Sequence, residues 1–158
     1  MVAVLDAPAL LQVHERALDP AGVFDWMTGQ VDAGRICFPN QVVPHASRLA
    51  GDSHPAVRWA ATVRRRRARE QAAVHCLEYV IDEVHEMVGL ELPENSGVYV
   101  AAMAHEYAQE DVEVVVVTED RTDVLRMSLA TGCDRLGIRC LTAAGWLISC
   151  GHAVNDAS

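Results

Sequence analysis

"VVVVTEDRTD", residues 114–123, is the stretch on which the reading of this chain turns. Four consecutive valines make a strand that is apolar on both faces, and such strands belong in the interior of a parallel sheet. The strand runs straight into Thr118, Glu119 and Asp120, with Asp123 close behind. Charge beside an apolar core is costly unless a cation or hydrogen bonds offset it. Either these acids begin the next helix, where its dipole favours them, or they hold a metal ion at the end of the sheet.

Working outward, the opening "VAVLDAPALL" predicts a strand over Val2–Leu5, ended by Asp6 and continued at helical spacing through Leu10, Leu11 and Val13. Asp19-Pro20 is a helix start, a capping residue followed by proline in the first turn, and that helix runs to Gly34. "RICF" at 35–38 reads as a strand stopped by Pro39, with a short helix over about Val42–Leu49. Ser53-His54-Pro55 opens a long amphipathic helix to Val88, with a break available at Arg64–Arg69. Its apolar face is Val74, Leu77, Ile81, Val84 and Val88. His75, Glu78, Asp82 and His85 lie opposite and read as a solvated face, because i and i+7 or i+10 are too far apart to share one ion.

"LELPENSG" at 90–97 is a loop, Val98–Gln109 a helix, and Val112–Val117 the valine strand. Asp123–Leu136 reads as a helix ended by Gly137, "IRCL" as the last strand and Ala143–Ile148 as the last helix. Strands alternating with helices predict a single α/β domain over 1–158, with a parallel sheet of about four strands covered on both faces. Trp26, Trp59 and Trp146 read as core or interface aromatics.

Composition narrows the function. At 158 residues and 51% hydrophobic, the chain builds a real core and is not disordered. It has no apolar run near the roughly 20 residues of a membrane span, so no membrane partner is expected. The N-terminus lacks a basic region ahead of its apolar residues, so no signal peptide is expected either. Five cysteines without CxxC spacing suit a reducing cytoplasm better than a disulfide framework.

A net charge of -9 disfavours general nucleic-acid binding. Yet all 13 basic residues are arginine, and "RRRRARE" at 64–70 concentrates five of them. Arg64, Arg65 and Arg67 are candidate phosphate contacts for RNA; the alternative is a solvated face paired with acids of this chain or of a partner.

In an open parallel sheet, ligands sit beyond the carboxyl ends of the strands. Asp6 ends one predicted strand and Thr118, Glu119 and Asp120 end another, so neighbouring strands would bring them into one crevice. Two or three carboxylates completed by water suit Mg²⁺ or Mn²⁺. Thr118 either orients Asp120 through its hydroxyl or caps the following turn.

"AVLDAPALL" resembles the opening strand of PIN-domain nucleases. "VYVAAMAHEYAQEDVEVVVVTEDRTDVLRMSLATGCDRLGIRCLTAAGWL" resembles the C-terminal half of that family, in which a strand ends in Thr-x-Asp. The resemblance implies a PIN-like three-layer sandwich and a metal-dependent endoribonuclease using Mg²⁺ or Mn²⁺. Some members are toxin components paired with an antitoxin, and homodimers are frequent. On it, Asp6 and Asp120 match metal-binding acids and Asp123 a further catalytic acid. Two usual acids are replaced: Pro44 and His45 stand near one expected position and Gly97 at the other, leaving Glu94 as a substitute catalytic carboxylate. The family pattern therefore implies weak or residual activity. The alternative is a catalytically decayed PIN-like domain serving as a protein- or nucleic-acid-binding module.

Overall fold

The computed structural model describes residues 1–88, 96–124 and 126–156. Four parallel strands, β1 (Val2–Leu5), β2 (Ile36–Cys37), β3 (Val114–Val117) and β4 (Arg139–Leu141), form one sheet in the order β2-β1-β3-β4. Helices flank it to give the α/β three-layer sandwich: α1 (Ala7–Arg16), α2 (Pro20–Asp32), α3 (Val42–Ala50), α4 (Pro55–Val63), α5 (Val74–Glu83), α6 (Gly97–Gln109), α7 (Leu129–Arg135) and α8 (Ala143–Ser149). Helix α6 packs on β1 and β3 and against α5 and α7, while α1 gathers α2, α3, α4 and α8. Among the described residues, no helix is long and apolar enough to cross a membrane.

The valine run behaves as its composition requires. Val115, Val116 and Val117 are fully buried, as are Val4 and Leu5 on the neighbouring strand. Leu5 pairs with Val117, so the next residues along, Asp6 and Thr118, leave the sheet side by side. From β1 the chain moves outward to β2, then returns across β1 to build β3 and β4 on its other side. The point where the winding reverses lies between β1 and β3, and α/β sheets place their ligand crevices beyond the strand ends at such a point.

Local signals set most boundaries. Asp6 caps α1 by accepting from the Ala9 N–H at 2.8 Å, and Asp19 caps α2 by accepting from Gly22 N–H at 3.1 Å. Proline follows each cap within the first two helical positions, where its missing N–H costs nothing. Gly34 and Gly137, both at φ +74°, supply the left-handed backbone that turns the chain from α2 into β2 and from α7 into β4.

The break available at Arg64–Arg69 is taken, and two further expectations are corrected. The stretch Pro55–Val88 is two helices: α4 ends at Val63, a 3₁₀ turn covers Arg64–Arg66, and α5 starts only at Val74. The cause is Arg67, whose extended backbone (φ -65°, ψ 148°) leaves the helical path while its side chain turns inward. There its guanidinium donates to the carbonyls of Phe38 and Arg64 and to Asn40 Oδ1, and lies 4.8 Å from the Phe38 ring centroid. The helix expected from Asp123 begins six residues later, at Leu129, with Ser128 as its cap. On α5, the buried stripe is Cys76, Val80 and Val84, whereas Val74 is 70% exposed.

Candidate functional site

Asp6 is held at the head of β1 by both of its oxygens. Oδ1 accepts the Ala9 N–H, and Oδ2 accepts the Thr118 hydroxyl. The same Thr118 oxygen accepts the Asp120 N–H at 2.9 Å. Thr118 thus caps the turn that carries Asp120, one of the two roles weighed for it, while the carboxylate its hydroxyl holds is that of Asp6 and not of Asp120. With Asp6 only 2% exposed, burial raises its carboxyl pKa to about 7. The Thr118 and Ala9 hydrogen bonds pull it down less strongly, and the charges of Asp120 and Glu119 add to the rise.

Asp120 shares the crevice but is already committed. Its Oδ2 accepts Arg126 Nη1 at 2.8 Å and the Leu129 N–H at 3.0 Å, tying it to an internal cation and to the start of α7. Glu119 accepts the Ala143 N–H at 2.8 Å, capping α8. Asp6, Glu119, Asp120 and Arg126 line one cavity of about 280 Å³, together with Pro8, His45, Leu49, Ser96 and Gly97. The expected convergence of Asp6 with the acids at the end of the valine strand is therefore present.

The other expected residues fall differently. Asp123 is exposed and outside the crevice lining; its oxygens accept the Ser128 N–H at 2.7 Å and the Thr131 hydroxyl at 3.1 Å, stapling the approach to α7. Glu119 takes its place as the third acid of the crevice. Glu94 lies outside the described residues. His45 and Gly97, which stand near where the resemblance led acids to be expected, do line the crevice. His45 Nδ1 lies 2.9 Å from the buried hydroxyl of Ser96 and accepts its N–H at 3.3 Å. The contact bridges α3 to the start of α6.

The arginine run does not form one ridge. Arg66 pairs with Asp32 and Arg69 with Glu106 and Glu110. Arg69 also lies over the Tyr107 ring, 3.9 Å from its centroid. Arg67, at 9% exposure, is an interior residue. Arg64 and Arg65 alone keep exposed side chains among the three candidate RNA contacts; they line a separate polar cavity with Asn40, Val43, Arg67 and Glu70.

The crevice fits Mg²⁺ or Mn²⁺ poorly. Such an ion needs several oxygen ligands free to converge on it, but four of the six carboxylate oxygens of Asp6, Glu119 and Asp120 accept hydrogen bonds, from Ala9, Thr118, Leu129, Ala143 and Arg126, which leaves only Glu119 Oε2 and Asp120 Oδ1. Among the described residues, the only group of three acidic, histidine or cysteine side chains with ligand atoms within 4.8 Å of one another is elsewhere, at His14, Glu15 and His54. No family model, curated protein or solved structure matches this chain.

Proposed function

We propose that this chain is a PIN-like domain whose nuclease centre has decayed and whose crevice now serves as a protein-binding site. The observation that carries this reading is the Arg126–Asp120 pair: the positive charge that a metal would supply comes from the chain itself. Asp6 is eased by protonation near neutral pH and Glu119 by capping α8. The crevice lies at the switch point of the sheet, and its lining holds three acids to one arginine. It suits a cationic side chain presented by a partner protein.

Overall charge favours such a partner over RNA. The chain carries -9, and three of its five clustered arginines are engaged with Asp32, with Glu106 and Glu110, or with the interior. A polyanion would meet net repulsion with few phosphate contacts to offset it. In fluorescence anisotropy at low salt, a labelled arginine-rich peptide should bind and should bind less tightly to Glu119→Gln. A single-stranded RNA of similar length should not bind. Tight RNA binding, or RNA cleavage on addition of Mn²⁺, would overturn this reading.

The convergence of Asp6, Glu119 and Asp120 in one cavity favours a second reading, a metal-dependent ribonuclease of weak activity, with Mg²⁺ or Mn²⁺ as cofactor and an antitoxin as its partner. It requires Arg126 to leave Asp120 when the metal enters.

A further inference from the structure

At the other end of α1, well away from the crevice, two histidines and a glutamate from different parts of the chain meet. Asp6 and Glu15 bound nine residues of helix, so the two places are separated by about 13 Å along the axis. His14 and Glu15 come from the last turn of α1, and His54 stands immediately before α4. His14 Nδ1 lies 3.3 Å and His54 Nε2 3.4 Å from the same oxygen, Glu15 Oε1. The imidazole rings meet edge to face, with centroids 4.9 Å apart. The two rings are half-buried, whereas the Glu15 side chain is 57% exposed and leaves one side open to water.

The separations discriminate between two uses of this cluster. Charge-assisted N–H···O⁻ bonds contract to about 2.7–2.9 Å, so contacts of 3.3 and 3.4 Å are loose hydrogen bonds. Ligands about 2.0–2.1 Å from a tetrahedral Zn²⁺ lie about 3.3–3.4 Å from one another, which is the spacing seen here. The remaining N···N separation is within 4.8 Å. We propose that His14, Glu15 and His54 form a binding site for a zinc-class divalent cation that clips the end of α1 to the start of α4.

Two imidazoles and one carboxylate select the borderline metals Zn²⁺, Co²⁺ and Ni²⁺ over Mg²⁺ or Ca²⁺, which prefer all-oxygen shells. Water fills the fourth position on the exposed side of Glu15. One existing bond must yield. His54 Nδ1 accepts the Ala56 N–H at 3.1 Å, which places the ring proton on Nε2. On binding, Nε2 exchanges that proton for the ion, the ring carries its proton on Nδ1, and the Ala56 N–H turns to water. The clip thus replaces a helix cap with a covalent-strength tie between two helices. It is independent of the fate of the crevice, because it uses none of the crevice residues.

The test uses the full chain. Zn²⁺ should bind at one equivalent by calorimetry and raise Tm as its concentration passes Kd. His54→Asn keeps a good capping residue and removes the ligand; it should weaken Zn²⁺ by more than the roughly 10–100-fold that loss of a supporting partner costs. Glu15→Gln should do the same. Asp120→Asn should leave Zn²⁺ binding unchanged, which separates this site from the crevice. Co²⁺ loaded in place of Zn²⁺ should give a visible spectrum without thiolate charge-transfer bands. Failure of Zn²⁺ to bind at millimolar concentration, equal binding by His54→Asn, or a thiolate band from the five cysteines would each overturn the proposal.

Discussion

Asp6→Asn is expected to stabilise the protein at pH 8 by about 4 kcal/mol relative to wild type, with the gain disappearing toward pH 4. The driving quantity is the rise of the Asp6 pKa from 3.8 to about 7 in the folded state, caused first by burial. Below pH 3.8 the carboxyl is protonated in both folded and unfolded chains and costs nothing. As pH rises toward 7, the unfolded chain releases the proton and the folded chain retains it, so folding stability falls. Above about 7 the folded carboxyl ionises too, and the loss levels off.

Asparagine carries no charge to desolvate, yet it can still accept the Ala9 N–H that starts α1. Urea unfolding of both proteins at pH 4, 6 and 8 measures the effect. A constant difference between them across that range would show that Asp6 is charged throughout, as a cation partner would keep it.

The second large effect concerns Arg67. Arg67→Ala should lower stability by about 2–4 kcal/mol, because it leaves the carbonyls of Phe38 and Arg64 and the Asn40 amide oxygen without their donor. It also removes the cation from the Phe38 ring, a contact buried between the chain after β2 and the end of α4. Arg65→Ala, at an exposed position with no such partners, should change stability by less than about 0.5 kcal/mol. Guanidinium chloride unfolding of the two variants separates an interior arginine from a surface one. Equal, small effects would return Arg67 to the surface and with it the reading of Arg64, Arg65 and Arg67 as phosphate contacts.

The contrast between Asp6 and Arg67 shows what a sequence discloses. Strand ends in a parallel sheet point the same way, so a buried strand before Asp6 and another before Thr118 predict one crevice for Asp6 and Asp120 if the strands are neighbours, and the order β2-β1-β3-β4 makes them so. Periodicity and Asp-Pro signals likewise carried most of the helices. Arg67 was illegible for the opposite reason. Its role depends on acceptors at Phe38 and Asn40, well back in the chain, and nothing in "RRRRARE" distinguishes the arginine that turns inward.

The same limit hid the late start of α7. Asp120 and Asp123 do serve its N-terminus, but by reaching forward to the Leu129 and Ser128 N–H groups, past residues 121–124 and 126–127, none of which is helical. The pairing of His45 with Ser96, 51 residues apart, depends on α3 meeting the start of α6. The approach of His14 and Glu15 to His54 depends in the same way on α1 packing against α4. No local pattern encodes either meeting.

Whether the crevice is a metal centre decides between a working and a decayed site. Calorimetric titration of Mn²⁺ and Mg²⁺ into wild type and Asp120→Asn addresses that directly. With Asp120 held by Arg126 and the crevice carboxylates already accepting hydrogen bonds, neither protein should show binding that depends on Asp120 up to millimolar metal. One equivalent of Mn²⁺ bound by wild type and lost in Asp120→Asn would contradict the account and make the crevice a working nuclease centre.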